Sequence, residues 1–179
     1  MCRKLEEKLA YHGAPALCGL KASNLININN DYIEEIDTLN KIYNPKNCFD
    51  ILKESDKGCL LLVYKRKTLE EYLFIEKNRL YLESIGYKRS DNLDDYVDEL
   101  KRRMNNSNDF PHEIGLFLGY DFDDTLEFIN GNKKPILKGI WNVYTNKDEK
   151  KALFDKYNRC KECVIRLVNK GFSIENFMK

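Results

Sequence analysis

Apolar residues recur along this chain at two spacings, and the change from one to the other divides it into elements. The clearest helical run is Leu93, Tyr96, Val97, Leu100 and Met104, which falls on one helical face. A second stripe, Tyr32, Ile36, Leu39 and Tyr43, follows Asp31 as a cap and stops at Asn44-Pro45. A third, Leu153, Tyr157, Cys160, Val164 and Leu167, marks a long last helix opened by Thr145 with Asp148 and closed by Gly171. Thr68 and Glu71 have the spacing of a capping box and predict a helix running to about Gly86. Pro111 suits the first turn of a short helix ending near Gly119. Asp121 caps the next, with Asp124 in its first turn and Gly131 past its end. The first ten residues read as a short helix ending before His12-Gly13, with a loop through Ala14-Pro15. Asn105 to Asp109 is a polar turn.

Strands are fewer. Leu25 to Ile28 reads as one. Cys59 to Tyr64 is apolar on both faces, the mark of a strand covered on both sides. Ile136 to Tyr144 alternates, with Leu137, Gly139, Trp141 and Val143 on one face. The predicted order is α-β-α-β-α-α-α-α-β-α. It defines a helix-rich α+β fold, a small three-stranded sheet with helices packed around it, in a single domain over residues 1–179.

Composition narrows the function classes. Hydrophobic residues make up 42% and charged residues 33%, as in ordinary globular domains. Thirty basic side chains face 29 acidic ones, so a net charge of +1 supplies no field for nucleic acid or an anionic membrane. The basic triplets Lys65-Arg66-Lys67 and Lys101-Arg102-Arg103 each lie beside a predicted helix and read as solvated faces. The longest apolar run, Cys59 to Tyr64, is too short to span a bilayer. Met1 to Glu7 lacks the apolar run of a secretory signal, so the expectation is a cytoplasmic protein. Six irregularly spaced cysteines then read as free thiols.

Three segments carry a resemblance. They are His12-Gly13-Ala14-Pro15-Ala16-Leu17-Cys18-Gly19-Leu20-Lys21-Ala22-Ser23-Asn24-Leu25, then Phe110-Pro111-His112-Glu113-Ile114-Gly115-Leu116-Phe117-Leu118-Gly119-Tyr120, then Gly139-Ile140-Trp141-Asn142-Val143-Tyr144. Asp123-Asp124, Phe128-Ile129 and the later Ala152, Phe154, Tyr157 and Cys160 extend it. Together they resemble DUF3793, an uncharacterised, mainly clostridial family. Ala16, Cys18, Ala22, Asp121 and Asn142 stand where that family usually has Thr, Ala, Pro, Pro and Lys. The resemblance implies a bacterial source and supplies no reaction, substrate or cofactor.

The chain's only two histidines fall in two of these segments. His112 is predicted at a helix start, where the positive end of the macrodipole favours the neutral ring that ligates metals or exchanges protons. Glu113 follows it but points about 100° round the helix. The segment is not His-Glu-x-x-His, so no zinc-protease reading follows. His12, expected in a loop, has Lys21 near in sequence, which suggests an anion site, without the Gly-Lys pattern of a nucleotide loop. Cys160-Lys161-Glu162-Cys163 has the spacing of a redox or metal pair but lies deep in a helix, away from the N-terminus that would favour a thiolate. With His12 and Cys18, Cys160 and Cys163 make a weak metal set. Tyr120, Trp141 and Tyr144 suit a planar ligand, or plain core packing. Asp94-Asp95 and Asp123-Asp124 complement helix dipoles.

Three classes of function remain. The first is a small cytoplasmic binding or accessory protein, in which His12, Lys21, His112, Tyr120, Trp141 and Tyr144 contact a small anionic ligand or a metal. The second is an acid–base enzyme using His112 and Glu113, with Lys21 as electrostatic stabiliser; it needs the two histidines to share a pocket. The third is a protein-interaction module without a ligand site. No nucleophile-elbow motif is present, and the sequence leaves the cofactor unknown.

Overall fold

Strand β3, Gly58–Lys65, is the middle of a three-stranded antiparallel sheet and is apolar on both faces because both are covered. A computed structural model describes residues 1–106 and 110–178 of the chain. Strand β1, Ser23–Ile28, pairs with one edge of β3, and β2, Asn47–Ser55, with the other, giving the order β1-β3-β2. Side chains alternate between the two faces as strand geometry requires. Leu61 and Val63 of β3 pack with Ile26, Ile28 and Phe49 in one core; Leu62 and Tyr64 pack with Cys48 and Leu52 in another.

The first core is closed by α1, Arg3–Leu17, α2, Ile33–Tyr43, the second half of the last helix, and the C-terminal 3-10 turn Ile174–Phe177. The second is closed by α3, Arg66–Leu73, α4, Glu76–Ser84, α5, Leu93–Asn106, and the single turn α6, Ile114–Phe117. Helix α7, Phe122–Asn130, leads to a small hairpin of β4, Leu137–Lys138, and β5, Asn142–Val143. Helix α8, Lys147–Asn169, then runs from the hairpin back along α1. The helix-rich α+β architecture with its small three-stranded sheet is the one the pattern predicts.

Five local expectations are corrected. His12 lies inside α1, which continues through Pro15. Gly13 lets that helix press on β1, for a Cβ there would stand 3.2 Å from Ile26 Cδ1. The sequence pattern gives no strand at β2, because a bulge between Ile51 and Lys53 breaks its period of two. The helix expected from Thr68 to Gly86 is two helices: β3 runs straight into α3 at Arg66 without the capping box, and the chain breaks at Phe74-Ile75. There the buried Asn78 amide donates to the Tyr72 carbonyl at 2.7 Å. The strand expected over Ile136 to Tyr144 reverses at Gly139-Ile140-Trp141 and pairs with itself, so β2 is the sheet's third strand instead. Helix α8 starts at Lys147 behind Asn146 in the left-handed region, and Phe154, Tyr157, Val164 and Val168 form its buried face. Leu153, Cys160 and Leu167 are only half-buried. The helix changes partners along its length, from the hairpin to α1 and the sheet, which moves the face off a single stripe.

Asp121 and Gly131 bound α7 as expected. The Asp121 side chain accepts from the Asp123 and Asp124 N–H groups, and Gly131 takes the left-handed conformation. The polar turn expected over Asn105 to Asp109 lies partly outside the described residues. No described helix is long and apolar enough to cross a membrane.

Candidate functional site

Asp124 builds the site. It is buried in the first turn of α7, and its carboxylate receives three donors from the hairpin. Oδ2 accepts from Trp141 Nε1 at 2.8 Å, and Oδ1 from the N–H groups of Tyr144 and Thr145 at 2.7 and 3.2 Å. These bonds hang the hairpin on the start of α7, where the helix dipole also favours the charge. Asp121 at the cap binds the buried ammonium of Lys150 at 2.7 Å, which ties α7 to α8. That ion pair holds the Asp121 carboxyl below its ordinary range although burial alone would raise it.

Two glycines bring the walls together. A Cβ on Gly115 would lie 3.0 Å from Thr125 Cγ2, so α6 and α7 approach closely only with glycine there. Gly119, at φ 68°, turns the chain back; a Cβ on it would lie 2.8 Å from Ala22 Cβ. Tyr120 follows, its carbonyl held by the Tyr72 hydroxyl, and its ring stacks on Trp141 with centroids 4.8 Å apart. Trp141 meets Phe154 of α8 edge-on at 4.5 Å.

Between the His112 turn, α7 and the hairpin this leaves a half-open cavity of about 480 Å³. Ile114, Leu118, Tyr120 and Trp141 form its apolar wall, with His112, Thr125 and Asn142 as polar groups. Phe110, Phe128 and Ile140 also line it while staying 48%, 46% and 37% exposed, so its mouth is apolar as well. The His112 ring meets Phe128 edge-on at 5.3 Å. His112 lies in a turn before the single-turn α6, so the dipole argument for its ring does not apply.

The fold brings together His112, Tyr120 and Trp141 among the residues singled out from sequence. The others go elsewhere. His12 stands exposed on α1 beside Tyr11, its pKa lowered by partial burial and by Lys8 and Lys161. Its helix covers the first core, whereas the His112 turn leads into α6 on the second, so the two histidines share no pocket. Lys21 is 4% exposed and donates from Nζ to the Ser23 carbonyl at 2.8 Å, with the Tyr120 ring 5.2 Å away. Burial without a carboxylate lowers its pKa to about 7. Glu113 is buried against Arg103, at 3.4 Å, and the Tyr87 hydroxyl, at 3.3 Å. Tyr144 contributes its backbone N–H to Asp124. The metal set does not assemble: among the described residues no three His, Cys, Asp or Glu side chains group closely enough to hold an ion. Cys18 and Cys160 are both half-buried against the first core.

Sequence reasoning passed over Phe110, Phe128 and Ile140 as a rim and took Asp124 for a dipole complement. The signal for Asp124 was its place one turn past a cap, ahead of a hairpin carrying the single tryptophan.

The fold and cavity define a helix-wrapped antiparallel sheet with an apolar pocket beneath an appended hairpin. The chain belongs to the family described as "Protein of unknown function (DUF3793)", whose model matches residues 9–178. No curated protein and no solved structure matches it.

Proposed function

We propose that this protein is a small-molecule binding or accessory protein whose site is the cavity beneath the hairpin. Its ligand is a small, mainly apolar, planar molecule with one polar or anionic head. The observation that carries this is convergence. The Phe110–Tyr120 segment and the Gly139–Asn142 reversal, far apart in sequence, meet on one cavity whose rim is three exposed apolar side chains. A cavity of a few hundred Å³, apolar with few polar groups, is the usual form of a ligand site. The Tyr120–Trp141 stack offers a flat wall to a ring, and His112 offers a donor or acceptor to the head group. Lys21 supports the site from behind Tyr120 rather than by touching the ligand.

The acid–base reading finds less support. Glu113 is engaged by Arg103 and Tyr87, and His12 is remote. The interaction-module reading draws on the same exposed rim, which suits an apolar side chain of a partner as well as a free ligand.

Calorimetric titration with 2-naphthoate, 2-naphthylamine and octanoate tests the proposal. Saturable one-to-one binding of naphthoate, weaker for octanoate and lost in Phe128→Ser/Ile140→Ser, supports a planar-ligand site. His112→Ala should weaken naphthoate more than naphthylamine. Equal binding by wild type and the rim variant overturns it.

A further inference from the structure

Phe110 and His112 line two cavities, not one. The first is the space beneath the hairpin. The second, half-open and about 550 Å³, lies against the end of α4 and the last turns of α5. Tyr81, Ile85 and Ile129 give it apolar walls, and Arg102 and Arg103 give it a charged one. The two spaces form a single trough with Phe110 and His112 at its waist.

The charged end of this trough has a donor to spare. Glu99 spends both carboxylate oxygens on Arg102 and Arg103, at 2.7 to 2.8 Å. Glu113 is buried and meets Arg103 and the Tyr87 hydroxyl through Oε1. Arg103 is spent as well: its three nitrogens donate to Glu99, to Glu113 and to the Ile85 carbonyl, and its guanidinium lies 4.3 Å over the Tyr87 ring. Arg102 differs. It holds Glu99 through Nε and Nη2, its side chain is 59% exposed, and its Nη1 donates to none of the described residues. A guanidinium edge left over beside satisfied carboxylates favours an incoming acceptor with a full negative charge.

We propose that the two cavities are one extended site for an aryl-alkanoic acid, with its ring beneath the hairpin, a short flexible chain across His112, and a terminal carboxylate at Arg102. This rests on the hairpin cavity being the ligand site, and it narrows the class of ligand. An acid group attached directly to the ring stops at His112, whereas one carried on a chain reaches the guanidinium. The exposed Phe110 side chain, which lines both cavities, offers the chain an apolar surface to lie on.

The test is calorimetric titration of the full chain with 4-(2-naphthyl)butanoate, its primary amide and 2-naphthoate. The butanoate should bind about tenfold more tightly than its amide, the usual gain of a charge-assisted hydrogen bond, and more tightly than 2-naphthoate. In Arg102→Gln the ratio between butanoate and amide should fall toward one. Thermal unfolding of the variant, altered only at an exposed side chain, checks that it folds. Equal binding of butanoate and amide by the wild type, or an undiminished ratio in folded Arg102→Gln, overturns the extended site and leaves the hairpin cavity standing. Failure of all three naphthalenes to bind overturns the hairpin-cavity reading itself, and the extension with it.

Discussion

Asp124 accepts the indole N–H of Trp141 at 2.8 Å, and this bond joins the first turn of α7 to the tip of the hairpin. Both residues line the cavity, so the bond that holds the hairpin also sets the cavity wall. Asp124→Ala would strand the buried Trp141 N–H and two part-buried backbone N–H groups, and a cost of about 2–4 kcal/mol is expected, since each unsatisfied buried group costs ~1–3 kcal/mol. Asp124→Asn keeps an acceptor for the backbone donors and should lose less. Urea unfolding gives the energies, and a red shift in Trp141 emission reports the loosened hairpin.

Gly139 makes room for Phe154. A Cβ at this turn would fall within the edge of the Phe154 ring. Gly139→Ala should therefore destabilise by ~1–3 kcal/mol, the usual cost of overpacking. Phe154→Leu alone should cost less than a large-to-small core change, and the double variant should recover part of the Gly139→Ala loss. A double-mutant cycle on thermal unfolding measures the coupling.

Lys21 makes stability depend on pH in an unusual direction. Burial lowers its folded pKa from 10.5 to about 7. Between those values the unfolded chain binds the extra proton, so this contribution rises with pH. The penalty is full below pH 7 and disappears as pH climbs toward 10.5. Lys21→Met should be more stable than wild type by a few kcal/mol at pH 6, on the order of 1.4 kcal/mol per unit of pKa depression. The gap should close toward pH 10 in denaturant unfolding of the two proteins side by side. A gap independent of pH would mean that Lys21 stays charged in the fold.

Stripes packed against one neighbour were legible in the sequence. Leu93, Tyr96, Val97, Leu100 and Met104 all lie buried on α5, and the two-faced apolar run of β3 is the covered central strand. What misled was context that local pattern does not encode. The β2 bulge erased its alternation, and Gly139 read as a strand position when it turns a hairpin. Pro15 and Gly13 read as a loop because neither favours a helix interior, yet both lie within α1, where Gly13 lets the helix approach Ile26. In the candidate site, His112, Tyr120 and Trp141 stood out by residue type. The rim and the Asp124 anchor depend on which segments meet, and no spacing along the chain specifies that.

The account rests on the cavity being a ligand site, and Trp141 reports on it directly. It is the only tryptophan, so its indole N–H gives one isolated signal in a ¹H–¹⁵N spectrum. Titration with 2-naphthoate should move that signal along a saturating curve, together with the amides of Gly115, Thr125 and Ile140, and leave those around His12 unmoved. A Trp141 signal that stays fixed while naphthoate shifts residues elsewhere, or shifts none, would contradict the account.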